Sequence, residues 1–328
     1  MNHPFTCWAH LGIDISKLSF EACLWLNNTL RSATFPNNPE GFTQLDAWLK
    51  EHDVPKTFAG LEATGPYGAA LLWHLHVQGH RVHLLNPRRV KDYGRSQGRR
   101  VKTDRSDAAL IATYLRASEK LQPWQPPTQA LVELQALVRR RAQLLDALQA
   151  ERNRNEVAPS AAVAASLQRQ ITELKAEVKR LNTAIDKHVL ENQPLQKSVR
   201  LLRTIDGVGR MIAVTILAEV PAISTFARAR DVAAFAGLTP ALAESGTSLR
   251  RRGHMTKEGS ALLRKMLYMG ALQAAKRPSN AFHKCYQAFI QRGKAKMCAM
   301  GAIMHKIIRV AFGVLKHDTP FVENFARL

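Results

Sequence analysis

Residues 7–26 read CWAHLGIDISKLSFEACLWL, and this stretch decides the fold class. Cys7–Ile15 is predicted as a buried strand, Ser16-Lys17 as a turn and Phe20–Leu26 as a second strand. Asp14 follows Leu11 and Ile13, so its side chain should face away from Ile13, at a sheet edge. Working outward, Thr29–Phe35 can complete a meander before Pro36-Asn37-Asn38-Pro39 breaks the chain. Glu40–Glu51 has helical spacing through Phe42, Leu45, Trp48 and Leu49. Thr57–Leu61 reads as a short strand, Gly65-Pro66 opens a helix to about Gln78, and Val82–Leu85 is a strand ending at Asn86-Pro87. Strands first, then strands alternating with helices, suit a mixed α/β sheet of the ribonuclease-H type.

Four acids fall on this frame. Asp14 lies on the first strand and Glu62 ends the strand Thr57–Leu61. Asp104 and Asp107 stand three apart at the start of a helix over Asp104–Leu115, and so share a face. Such a set could hold two Mg²⁺ or Mn²⁺ ions roughly 3.5–4 Å apart. Oxygen ligands without His or Cys favour these cations over zinc. Each acid also has a plainer use: Asp104 as a helix cap, Asp107 against the helix dipole, Asp14 and Glu62 as strand-end acids.

The acids are unusual because the chain is otherwise basic, with a net charge of +21 over 328 residues. The excess is localised. Residues 88–105 carry eight bases against two acids, and residues 196–328 carry 22 against seven. A footprint of this kind points to a polyanion, since phosphate neutralisation supplies most nucleic-acid affinity. Arg88, Arg89, Lys91, Arg95, Arg99, Arg100, Lys102 and Arg105 flank the acids and enclose Gly94 and Gly98. They are read as a flexible strand that orders on RNA or DNA. Aromatic residues are only 7% of the chain, which favours backbone and shape readout over base stacking.

From Pro126 the composition turns helical. Residues 128–155 and 160–191 are broken only at Pro159. Leu167, Ile171, Leu174, Val178, Leu181 and Ile185 step by four and three, a heptad seam that needs a covering helix. Leu131, Leu134, Val138, Leu145 and Leu148 form a broken counterpart. The expectation is an antiparallel coiled-coil hairpin that also dimerises; a helical bundle within one chain is the alternative. The region after Pro194 reads as wholly helical. Within it, Ile205-Asp206-Gly207-Val208-Gly209 resembles a helix-hairpin-helix turn, in which Gly207 and Gly209 would let backbone N–H groups approach a phosphate. An ordinary turn between helices would use the same residues.

The runs Gly12-Ile13-Asp14-Ile15-Ser16-Lys17, Leu61-Glu62-Ala63-Thr64-Gly65, Asn86-Pro87 and Lys102-Thr103-Asp104-Arg105-Ser106-Asp107-Ala108 together resemble the DEDD transposases of bacterial insertion sequences. These are relatives of the Piv invertase. Gly207-Val208-Gly209, Phe235-Ala236-Gly237-Leu238-Thr239-Pro240, Ser245-Gly246 and a helix over Gly259–Met269 agree, so the likeness covers nearly the whole chain. It implies a RuvC-like nuclease domain (1–125), a coiled-coil segment (126–195) and a helical transposase domain (196–328), that is, α/β followed by all-α. It also implies a nucleophilic serine, Ser245, and a structured bridge RNA as guide. The site would be composite, built from two subunits of a homodimer that assembles to a tetramer on target and donor DNA. By itself Ser245 sits in a Ser-Gly turn between helices, followed by Arg250, Arg251 and Arg252, and is ordinary turn chemistry.

Two further readings compete with recombination through a phosphoserine. One is a hydrolytic, junction-resolving RuvC-like nuclease without a covalent intermediate; the other is a non-catalytic nucleic-acid organiser. Cys7, Cys23, Cys285 and Cys298 lack metal-ligand spacing and are expected to be reduced, mostly buried thiols. His74, His76, His80 and His83 are expected to be ordinary surface or core residues. No signal peptide is read at the N-terminus and no apolar run is expected to span a membrane, which suits a cytoplasmic protein.

Overall fold

The computed structural model describes residues 9–62, 65–98, 104–118, 121, 123–241, 244–245, 249–250 and 254–323. They form two compact units, 1–126 and 127–328.

In the first unit, β1 (Ala9–Ile15), β2 (Ser19–Leu26) and β3 (Thr29–Pro36) make an antiparallel meander. Asn27 and Asn28, both at positive φ, turn β2 into β3, a conformation that asparagine tolerates better than most residues. β4 (Thr57–Glu62) and β5 (Arg81–Leu85) join in parallel, giving the order β3-β2-β1-β4-β5. β1 is therefore the central strand, and Asp14 lies near its C-terminal end, not at a sheet edge.

One sheet face packs α1 (Pro39–Glu51) and α2 (Ala69–Val77), reached after a single 3-10 turn at Pro66–Gly68. Leu11, Ile13, Leu61 and Val82 meet Phe42, Leu45, Leu49, Leu71 and Leu75 there. Asn38 caps α1 by accepting the Gly41 N–H at 2.9 Å, so the Pro-Asn-Asn-Pro break is also a helix start. His74 bonds Asp46 at 2.9 Å. His80 is buried, its Nδ1 accepting the Thr57 N–H at 3.1 Å, and burial, reinforced by Lys56, holds its pKa down at about 4. The opposite face carries α4 (Asp104–Ala117) and α3 (Pro87–Ser96).

The α3 helix corrects the reading of a flexible strand in the first half of the basic stretch. Asn86 accepts the Arg88 N–H at 2.9 Å and Pro87 occupies the first turn. Val90 and Gly94 are buried, with Gly94 against Leu110 of α4. An apolar stripe four residues apart outweighs the charge on the other face.

The second unit opens with α5 (Gln129–Glu156) and α6 (Ala161–Glu191), capped by Thr128 and Ser160. They run antiparallel: Arg141 bonds Asn182 at 2.6 Å and His188 bonds the Ala130 carbonyl at 2.8 Å. Leu144, not Leu145, is the buried residue in the broken series. Then follow α7 (Gln193–Leu202), α8 (Arg210–Glu219), α9 (Ala229–Phe235), α10 (Ala261–Lys276), α11 (Ala281–Gln291) and α12 (Lys296–His317). Ile212–Glu219 of α8 is buried on every side, and Glu219 is paired bidentately by Arg139 of α5, at 2.8 and 3.2 Å.

Four expectations change here. The region is not wholly helical: β6 (Pro240–Ala241) pairs β9 (His254–Met255), and β7 (Glu244–Ser245) pairs β8 (Leu249–Arg250). The helix expected from Gly259 begins at Ala261, because Gly259 sits at positive φ against the Phe235 carbonyl and Ser260 caps the helix. One helix does reach membrane-spanning length: α12 has 22 residues and a window of mean hydropathy 1.5. Ile303, Ile307, Ile308 and Ala311 are nonetheless wholly buried in the core of the second unit. Of the cysteines, Cys23 is buried, Cys285 half-buried and Cys298 exposed, so the thiols are less buried than expected; Cys7 lies outside the described residues.

Candidate functional site

β1 and β4 pair in parallel, with Gly12 opposite Gly60 and Ile13 opposite Leu61. Asp14 and Glu62 are the next step of that register. Adjacent strands lie ~4.8 Å apart and in-register residues share a face, so the two acids project side by side. The face is set by the glycines. A Cβ on Gly12 would fall 2.1 Å from the Ala108 carbonyl oxygen, and one on Gly60 would fall 2.7 Å from Leu115. Both glycines therefore lie under α4, and Asp14 and Glu62, two residues further along, leave the sheet on the same side.

The direction of α4 decides which of its ends meets the acids. The Arg116 guanidinium lies 4.7 Å from the Trp25 ring, and Trp25 pairs with His10 near the start of β1. Ala108, eight residues earlier, is level with Gly12. The helix thus runs against β1, and its first turn, with Asp104 and Asp107, points toward the Asp14 end. The side chain of Asp104 lies outside the described residues; Asp107 immediately precedes Ala108. Among the described residues no group of three or more His, Cys, Asp or Glu is close enough to hold a metal ion. The donor type fits a hard divalent cation, and the described carboxylates do not by themselves close a cage around one.

The sequence reading missed Glu21. It pairs directly with Asp14 across β1 and β2, and it accepts a hydrogen bond from Thr34 of β3. Glu21, Asp14 and Glu62 thus form a row of acids across three strands. Alternation within β2 hinted at the face, but the length of the turn after Ser16 sets the partner. Asn37 also went unread: its amide donates to the Ser16 carbonyl at 3.0 Å and the Tyr67 carbonyl at 3.1 Å. It ties the loop after β1 to the turn after β4, the two loops that flank the acids.

Of the predicted basic residues, Arg88, Arg89, Lys91 and Arg95 are exposed on α3, with Asp92 pairing Arg95 at 3.3 Å. Arg99, Arg100, Lys102, Arg251 and Arg252 lie outside the described residues. Arg105 is in the first turn of α4 and Arg250 in β8, with their side chains undescribed. Ser245 is placed by backbone only: it is in β7, opposite Leu249, within a small ladder and not in a plain loop between helices.

The glycine turn divides its labour. Gly207 has φ +82, and a Cβ there would meet the Gly270 carbonyl at 2.3 Å, so its lack of a side chain serves packing on α10. Gly209 opens α8, and a Cβ there would meet nothing within 4 Å. Of the two, only Gly209 leaves a helix N-terminus open to an approaching anion.

A ribonuclease-H-like sheet with acids at the C-terminal ends of its central strands, joined in sequence to a helical unit, fits a DEDD-type transposase. The comparisons with known proteins agree. A transposase family model of the DEDD type named for IS110 matches residues 11–157, and the model for the transposase IS116/IS110/IS902 family matches residues 199–287. The chain belongs to this IS110/Piv-type transposase family. It is 32% identical over 314 residues to the pilin gene-inverting protein of Moraxella bovis, covering 95% of this chain and 97% of the relative. The counterpart from Moraxella lacunata matches equally. The transposase for insertion sequence element IS1111A of Coxiella burnetii is 28% identical, covering 95% and 90%. The chain is accordingly an enzyme of the transposase/recombinase class that acts on DNA.

Proposed function

We propose that this protein is an insertion-sequence recombinase that cuts and rejoins DNA through a phosphoserine at Ser245, guided by a structured bridge RNA. The observation that carries the reading is the adjacency of Asp14 and Glu62 facing the helix that begins with Asp104 and Asp107. In this scheme those four acids hold Mg²⁺ or Mn²⁺, and Glu21 adds negative potential beside Asp14. The bound cation would supply charge neutralisation at the reacting phosphate. The Ser245 hydroxyl oxygen attacks phosphorus, a P–O bond to the strand breaks, and the strand end leaves as a hydroxyl. One phosphoester is exchanged for another, so the reverse attack can reseal DNA without an outside energy source. Relatives named for inverting a pilin gene and for an insertion sequence favour cutting with rejoining over hydrolysis alone.

The remaining parts follow the same scheme. Residues 1–125 form the nuclease domain, and 126–195 form a coiled-coil segment through which copies pair, assembling to a tetramer on target and donor DNA. Residues 196–328 carry Ser245, so pairing would let one copy's serine meet another's acids. Arg88, Arg89, Lys91, Arg95, Arg99, Arg100, Lys102 and Arg105, with Gly209 and Arg250–Arg252, would contact nucleic-acid backbone. The enzyme would work in the cytoplasm.

The test is adduct trapping on labelled DNA with Mg²⁺ and the copurifying RNA. A covalent protein–DNA species is expected, absent in Ser245→Ala. Asp14→Asn should keep DNA binding and lose cleavage by more than the ten- to hundredfold typical of a residue that only supports a metal ligand. Nicked ends without any adduct would instead establish the hydrolytic nuclease.

A further inference from the structure

On the α4 side of the first unit, Trp25, Leu30, Tyr93, Gln97, Thr113 and Arg116 line a groove of about 730 Å³. Its walls come from β2, β3, α3 and α4. The indole of Trp25 is half-buried, and the Arg116 guanidinium lies over its ring, 4.7 Å from the centroid. The phenol of Tyr93 also lines the groove, held edge-on by Tyr114 at 5.5 Å. Thr113 donates to the Leu110 carbonyl at 2.9 Å, which orients its oxygen lone pairs away from that bond. Among the described residues the lining contains no carboxylate.

We infer that this groove holds an unpaired base of single-stranded DNA. The Arg116 guanidinium, stacked over Trp25, and the Tyr93 phenol offer flat faces on which any base can stack, and the Gln97 amide and Thr113 hydroxyl can meet its edge. Charge complementarity favours a nucleic-acid strand: exposed Arg88, Arg89 and Lys91 stand on the helix that carries Tyr93 and ends at Gln97, a setting that draws phosphates, and a transposase-family enzyme makes that strand DNA. A duplex is excluded because its bases are already stacked on one another. The scarcity of aromatics along the chain therefore hides a local concentration at one site. On α4, Arg116 is nine residues from Asp107, ~14 Å at helical rise, or about four base steps at ~3.4 Å each. A base seated here would anchor a strand whose phosphate lies by the acids; that placement rests on the proposed function, whereas the groove's affinity for single strands does not.

The experiment measures binding of the full-length protein in EDTA to a labelled oligodeoxynucleotide, its duplex and the same sequence as RNA. A second readout photo-crosslinks 5-iododeoxyuridine strands and maps the adducts. Trp25→Ala and Tyr93→Ala are each expected to weaken single-stranded DNA binding roughly five- to hundredfold, with duplex affinity unchanged. Trp25→Phe should retain most of the binding, and crosslinks should fall on Trp25 or Tyr93. Tyr93→Ala guards against misfolding of the strand variant. Unchanged single-strand affinity in both variants, an equal loss on duplex, tighter binding of the RNA, or altered self-association with DNA binding intact would each overturn the inference; the RNA arm counts only where the Trp25 and Tyr93 variants weaken RNA binding more than DNA binding. Because no cut strand or metal is needed, the result stands apart from that of the Ser245 adduct test.

Discussion

Gly12 and Ala108 approach so closely that a single methyl on the glycine would lie 2.1 Å from the Ala108 carbonyl oxygen and 2.3 Å from the Ala112 nitrogen. Both neighbours are helix backbone and cannot swing aside. Gly12→Ala is therefore expected to push α4 off the sheet and destabilise the protein by about 1–3 kcal/mol. Cleavage should fall further than stability explains, because α4 carries Asp104 and Asp107. Gly313→Ala, where an added methyl meets nothing within 4 Å inside α12, should raise stability by up to ~1 kcal/mol. Denaturant melts of both variants check the contrast; a neutral Gly12→Ala would refute the close packing of α4.

His80 couples stability to pH. Buried with its Nδ1 accepting from Thr57, it titrates at about 4 in the folded chain against 6.5 when unfolded. Since the folded pKa is the lower one, the unfolded chain binds the extra proton. The stabilising contribution is complete above pH 6.5 and is lost as pH falls toward 4. The loss should approach ~3 kcal/mol by order of magnitude. Melting temperatures followed from pH 7 to 4.5 should show this slope, and His80→Gln, with a lower starting stability, should flatten it. Equal slopes in the two proteins would assign the acid sensitivity elsewhere.

The seam on α6 is half-covered within one copy. Ile171 and Ile185 are buried, whereas Leu167, Leu174, Val178 and Leu181 remain partly exposed along the same line. A second copy laid on that line would bury them. Leu174→Glu and Leu181→Glu should each weaken self-association at least tenfold, about 1.4 kcal/mol, in sedimentation experiments. Lys175→Glu, on the exposed side, should leave it unchanged. If the two leucine variants associate as the parent does, pairing occurs through another surface.

Much of this was legible in the residues alone. Alternation around Asp14, the breaks at Pro36-Asn37-Asn38-Pro39 and Pro159, and the four-three spacing of the long helices report local geometry, because each depends on neighbours within about one helical turn. α3 was misread because its charge pattern was weighed above a stripe of only two buried positions, Val90 and Gly94. The packing role of Gly207 was not legible for a different reason. Its partner, Gly270, is 63 residues away, and a glycine's sequence context does not tell a turn that faces solvent from one pressed against another helix.

The sequence by itself determined which groups are available: a set of hard oxygen donors, the strands that carry two of them, and a basic chain suited to nucleic acid. Tertiary structure decided their company. Strand register set Glu21 and Glu62 on either side of Asp14, and the packing of α4 over Gly12 and Gly60 turned its acidic end toward them. The fold also gathered Trp25, Tyr93 and Arg116 into one groove. Register and layer packing depend on contacts between segments far apart in the chain, whose free energy depends on shape complementarity that no local pattern encodes.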